Sequence, residues 1–270
     1  MQISAPTNFD FNIIKKLKNI AHDTFGSLNN EYGETIVPRY SLPIISIQKL
    51  REYIEYSHAA NIKFNYIMNH PDLILDKSRI VFLDRLHKIN VDMVTVSNPA
   101  AIIFIKKNFP FEICASITCR IDSLERALEY KNIGCDILTL SYSKNNDIEF
   151  INLIKKETKA KIKVLVNNIC LSECPYREEY LRGSDFLEKC SLKCLKLKLN
   201  DVSLIRKTCF IHPNNTKEYE EAGVDFLKIG GRTKPTWWII NCVMAYYKKN
   251  YKGNCFRIMN TIASENRYPA

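Results

Sequence analysis

The sequence predicts an α/β fold, a closed TIM-like (β/α)8 barrel. It forms a single domain over residues 1–270, with a short N-terminal helix and a C-terminal tail. Three observations predict this. Eight short apolar runs alternate with segments of helical periodicity, an order that places parallel strands side by side through helical crossovers. Eight such units in 270 residues agree with the roughly 250 residues typical of a closed barrel. No Gly-x-Gly-x-x-Gly turn is present, which counts against a dinucleotide-binding version of the runner-up, a doubly wound open sheet.

The elements follow in order. Ile13 to Ile20 has apolar residues at helical spacing and reads as a short helix, and residues 21–28 read as a first strand running into a glycine turn. Residues 29–46 hold Gly33, Pro38 and Pro43 and read as a long loop; loops of that length are often functional. Then come helix 47–60 with Ser46 as its cap, strand 63–69, helix 77–89 and strand 92–96. Helix 101–107, strand 111–117, helix 123–132 and strand 136–140 follow. Helix 147–156 leads to strand 161–166, the sixth. After a cysteine-containing segment come strand 208–211, helix 217–222, strand 225–229 and a last amphipathic helix, 235–249, with Pro235 near its start.

Composition narrows the function classes. The hydrophobic fraction of 46% is that of a soluble globular protein. No apolar run is long enough to span a bilayer, and the N-terminus lacks the pattern of a secretory signal. The expected location is therefore cytoplasmic, where ten cysteines serve as core residues or metal ligands rather than disulfides. The net charge of +10 admits nucleic acid or an anionic substrate as partner. The lysines, however, are spread over the predicted helices, as solvated faces would be.

In a barrel the residues just past each strand line the active-site mouth. Here these are Ser27, Asn69, Asn98, Thr118 with Arg120, Ser141 with Tyr142, Asn167 with Asn168, His212, and Gly230-Gly231-Arg232. No carboxylate pair stands among them, and neither Gly-x-Ser-x-Gly nor His-Glu-x-x-His occurs, so glycosidase, serine-hydrolase and zinc-peptidase chemistry is not indicated. Arg120 and Arg232 are candidates to hold a carboxylate, with Asn69 and Asn98 to bind and orient the substrate. Arg120, Asn168, His212 and Arg232 are the catalytic candidates. The competing readings are a plain Gly-Gly turn with Arg232 on a structural acid, and His212 as a capping residue.

The sharpest feature is Cys170-x3-Cys174 followed by Cys190-x3-Cys194. Four thiolates close in sequence suit a [4Fe-4S] cluster, with zinc as the alternative. Cys174-Pro175 and the polar stretch 176–189 are unlike core. Cys114, Cys119, Cys135, Cys209, Cys242 and Cys255 lie in or beside apolar segments and read as small core residues.

The stretches FNYIMN at 64–69, VDMVTVSNP at 91–99, VNNICLSECPYR at 166–177, the pair Cys190 and Cys194, and VDFLKIGGRTKPTWW at 224–238 resemble the collagenase-like peptidase family, peptidase U32. The likeness is to its short single-barrel iron–sulfur members, which are related to proteins of oxygen-independent ubiquinone and RNA hydroxylation. The resemblance implies a TIM-like barrel, a cluster held by Cys170, Cys174, Cys190 and Cys194, and oxygen-independent hydroxylation despite the peptidase name, although other members of the family are described as collagenases. Family members often carry a histidine where Tyr180 stands here.

The sequence thus predicts an iron–sulfur barrel enzyme tailoring a small molecule or peptide, plausibly by oxygen-independent hydroxylation. The alternatives are a collagenase-like peptidase, and a non-catalytic or RNA-binding accessory subunit with a structural cluster. A cluster near solvent would be compatible with a homo- or heterodimer.

Overall fold

The computed structural model describes residues 1–29, 44–70, 72–176 and 201–260. Eight parallel strands close a barrel in simple sequence order, with β1 pairing with β8. The strands are β1 (Gln2–Pro6), β2 (Ala21–Gly26), β3 (Lys63–Met68), β4 (Met93–Val96), β5 (Glu112–Ala115), β6 (Ile137–Thr139), β7 (Lys161–Leu165) and β8 (Phe226–Lys228). The helices are α1 (Phe11–Leu17), α2 (Ile47–Ala59), α3 (Lys77–Lys88), α4 (Pro99–Asn108), α5 (Leu124–Asn132), α6 (Ile148–Thr158), α7 (Thr216–Glu221) and α8 (Thr236–Lys248). One helix follows each strand, so the predicted (β/α)8 architecture is the one observed.

The count of eight strands is right, but one member differs. Residues 2–6 form β1, which the sequence analysis did not assign, because a five-residue run containing Ser4 and Pro6 carries little periodicity. Residues 208–211, expected as a strand, are not in the barrel. They run antiparallel beside the exit of β7, through the bridge of Leu171 with Thr208 and the bonds Cys209 N–H to Cys170 O (2.8 Å) and Ile211 N–H to Val166 O (2.8 Å). The first cysteine pair therefore leaves the seventh strand, not the sixth. The predicted loop 29–46 lies mostly outside the described residues.

Local sequence explains why the helices begin where they do. Asp10, Ser46, Asp76, Asn98, Ser123 and Asp147 each accept a backbone N–H of the first turn of α1 to α6, satisfying donors that would otherwise lack partners. A repeated device closes the amino-terminal face. Three helices end in a residue with positive φ, Asn90 (60°), Gly134 (116°) or Gly223 (89°). An apolar residue and an aspartate then lead into the next strand. Asp92 accepts Phe64 N–H (2.8 Å), Asp136 accepts Ile113 N–H (2.9 Å) and Asp225 accepts Ile162 N–H (2.7 Å). Each aspartate also meets a cation from an earlier helix, respectively His58 when protonated, Lys106 and Lys155. The three clamps fix the register of β3/β4, β5/β6 and β7/β8.

Alternate strand residues face opposite ways. The outward set, including Phe64, Tyr66, Val94, Ile113, Ile162 and Leu227, packs beneath the helices in one continuous core. The inward set forms a small apolar layer of Met93, Cys114, Ile137 and Phe226. The rest of the interior is unusually polar for a barrel, where branched apolar residues dominate. Ser4 donates to Asp23 (2.6 Å), Thr95 donates to Asn65 (2.9 Å), and the fully buried ammonium of Lys163 reaches Ser4 Oγ (3.4 Å) and the Phe226 ring (4.8 Å).

Candidate functional site

The mouth of the barrel is lined by amides and hydroxyls that the strand ends bring together. Past β3, β4 and β5, Asn69, Ser97, Ser116 and Thr118 form one buried cluster. Ser97 and Thr118 share a short hydrogen bond, Thr118 donates to Ser116 (2.9 Å), and Asn69 Nδ2 donates to the same hydroxyl (3.3 Å). Past β6 and β7, Asn168 Nδ2 donates to Tyr142 Oη (3.3 Å), while its buried Oδ1 has no hydrogen-bond partner among the described residues. A buried amide oxygen without a partner carries a desolvation cost and is available to a ligand donor. Past β8, Arg232 Nη1 donates to Ser27 at the end of β2.

Asn167 ties these ends to one another. Its Nδ2 donates to Gly230 O (3.1 Å) and Ile258 O (3.3 Å), and its Oδ1 accepts Gly230 N–H (2.7 Å). The Gly-Gly turn is a steric necessity. A side chain at Gly230 would meet Asn260 and Asn167, and one at Gly231 (φ 119°) would lie 2.5 Å from the Trp238 ring.

The remaining predicted site residues fall as follows. Arg120 is half-buried with φ 56°, just past the turn that follows β5. Arg232 follows β8, three strands further round the ring. Asn98 uses Oδ1 to cap α4 through Ala101 N–H (3.0 Å). His212 Nδ1 accepts Asn214 N–H (3.2 Å), the capping role that competed with catalysis in the sequence.

Of the cysteine set, Cys170 and Cys174 are half-buried on the segment leaving β7. Cys190 and Cys194 lie outside the described residues. Cys170 packs against the buried cluster of Tyr142, Leu165 and Cys209. Its segment is pinned by the 208–211 run and by Tyr246, whose hydroxyl lies within hydrogen-bond reach of both Ile211 O (2.8 Å) and Val166 O (3.1 Å). Two accessible thiols on a braced segment at the mouth fit half of a four-thiolate ligand set. Among the described residues no group of three or more His, Cys, Asp or Glu side chains is gathered for a metal ion. Cys114, Cys119, Cys135, Cys209 and Cys242 are buried as expected. Burial pushes the Cys119 thiol up to about 12 and Cys135 and Cys242 higher still, so these are inert thiols. Cys255, also expected in the core, is instead half-exposed in a short turn past α8.

Sequence reasoning missed the interior cations. Lys228 on β8 lies over the Phe25 ring (4.5 Å) with no hydrogen-bond acceptor or ion pair among the described residues. Burial lowers its ammonium to about 8. The charges of Lys163 and Arg232 act in the same direction, and Cys114 and Asp23 oppose it. Asp23 itself is fully buried, with Oδ1 unpaired among the described residues. The signal was present: in KIKVLV and DFLKIGG a lysine stands at an inward position of an otherwise apolar strand.

Fold and site together define a (β/α)8-barrel protein with a polar, cationic and thiol-bearing mouth. Residues 33–256 match peptidase family U32, and the chain belongs to that family. It is 27% identical over 264 residues to the uncharacterized protease MJ1657 of Methanocaldococcus jannaschii, covering 92% of this chain and 78% of that protein. The structure of the U32 peptidase Mk0906 superposes with a TM-score of 0.58 at 14% identity, over 86% of this chain and 94% of that one. A cube-shaped designed protein cage built by fusing symmetric oligomeric domains gives a TM-score of 0.50 at 9% identity, over 92% and 71%. These two structural likenesses concern the fold alone.

Proposed function

We propose that the protein is an iron–sulfur-dependent barrel enzyme that tailors a small molecule or peptide bearing an anionic group, by oxygen-independent hydroxylation or a related redox step. The observation that carries this reading is the pair of accessible thiols, Cys170 and Cys174, on a braced segment beside a cationic mouth. Cys170, Cys174, Cys190 and Cys194 would hold a [4Fe-4S] cluster, which supplies one-electron chemistry when bound. In the chain's own part, Arg232 holds the anionic group of the substrate, with Arg120 on the far side of the mouth. Asn69 and Asn168 orient it, and the hydroxyl cluster around Ser97 and Thr118 fixes Asn69 in place. No membrane-crossing helix occurs among the described residues.

The family name, and the description of the M. jannaschii relative as a protease, favour a second reading, a collagenase-like peptidase. Against it, none of the five histidines hydrogen-bonds a serine, threonine or cysteine among the described residues. His58 faces Asp92, His70 and His212 accept backbone N–H groups, and His22 and His87 make aromatic contacts. A nucleophile–base pair of the usual peptidase kind is thus missing there. Gelatin digestion separates the two readings. The redox reading expects no hydrolysis by protein stripped of iron, and proteolysis by that cluster-free protein would overturn it.

A further inference from the structure

Where β7 and β8 enter the mouth, positive charge outnumbers negative among the described residues. Lys163 and Lys228 project inward from β7 and β8, Arg232 stands just past β8, and Asp23 is the single acid acting on Lys228. Lys163 is fully buried and, among the described residues, hydrogen-bonded only to Ser4. Lys228 differs in two ways that matter chemically. It stands at the carboxyl end of β8 and is only partly buried as a residue, and among the described residues its Nζ lies over an aromatic face rather than on an acceptor.

We propose that Lys228 is a carbonyl-binding lysine, whose Nζ condenses reversibly with a small 2-oxo carboxylate at the barrel mouth to form an imine. An amine can attack only when neutral, and an ammonium paired with a carboxylate stays charged. Here the desolvated site and the neighbouring Lys163 and Arg232 charges, set against Asp23 and Cys114, favour the neutral form. The Nζ lone pair adds to the carbonyl carbon; one Nζ proton and one proton from solvent pass to the former carbonyl oxygen, which leaves as water. The product is a protonated C=N bond, with no change of oxidation state. The excess cationic charge selects a substrate with a carboxylate, which Arg232 receives. Lys163 is not the nucleophile, because it has no path to solvent. The proposal shares with the functional reading above only the anion-holding role of Arg232, and no step involves iron.

The test is reductive trapping of the full chain with pyruvate and cyanoborohydride, followed by peptide mapping. The expected result is a carboxyethyl group on Lys228 as the dominant modified position, lost in Lys228→Arg. Labelling should rise with pH and level off above about 8. Label scattered over exposed lysines without preference for Lys228 would overturn the proposal. So would pyruvate that raises the melting temperature yet leaves no adduct, the mark of an anion held without condensation. Because the map is read on the wild-type chain, a variant that fails to fold does not blunt it. Iron content, measured on the same preparation, reports on the cluster reading separately.

Discussion

Asn167→Ala removes the side chain that joins the two loops bearing the candidate site. Asn167 is fully buried at the end of β7. Its carboxamide both donates to and accepts from Gly230, and also reaches Ile258 O and Cys242 Sγ. Each neutral hydrogen bond contributes about 1 kcal/mol net, and a donor left buried without a partner costs about 1–3 kcal/mol. Gly230 is half-buried, so water recovers part of the loss of its N–H bond. Two bonds to Gly230, a weaker one to Ile258 and a small cavity together give a destabilisation of about 3 kcal/mol. Urea unfolding followed by circular dichroism measures it as a lower midpoint at unchanged slope. Asn167→Asp should be no better, because a carboxylate would then face the Gly230 and Ile258 carbonyls. A loss below about 0.5 kcal/mol, the level of an ordinary surface change, would refute the view that this residue holds the β7 and β8 exits together.

Three further outcomes follow from the same structure. Gly231→Ala should destabilise by at least about 1 kcal/mol, through left-handed backbone strain and contact with Trp238; an unchanged urea midpoint would contradict the turn geometry. Lys249, and then the Met1 ammonium, hold the Glu220 carboxyl down to about 2, below its usual 4.5. Its contribution is therefore complete above pH 4.5 and lost as pH falls toward 2, so Glu220→Gln should flatten stability against pH in that window, and an unchanged curve would count against the pairing. Burial lowers His22, so its protonation opposes folding. Stability should fall as pH drops below 6.5, and His22→Phe should reduce that fall in a pH series of thermal melts.

Much of the architecture was legible because each unit carries its own signals. Ser46 and Asp147 cap helices, while Gly134 and Gly223 end them before an Asp-led strand. β1 escaped because Gln2–Pro6 is short and holds Ser4, an inward-facing polar residue whose partner, Asp23, is distant in sequence. The run 208–211 misled for the opposite reason. Cys209 and Ile211 are buried and look like strand residues, yet they pack against the β7 exit rather than into the barrel. The site was legible only at its rim. Asn69, Asn168 and Arg232 follow from strand ends, but Lys163, Lys228 and Asp23 acquire their meaning from closure of the barrel, which gathers charges from β2, β7 and β8 together. Asn98 and His212 show the limit of reading strand ends, since local capping already occupies their acceptor atoms.

The most direct test of the central claim is iron, sulfide and visible absorption on protein purified without air, beside Cys170→Ala and Cys174→Ala. The account predicts about four irons and four sulfides per chain, with a broad charge-transfer band lost in both variants. Zinc in place of iron, or a metal-free wild-type protein, would contradict it and return the cysteine pairs to a structural role.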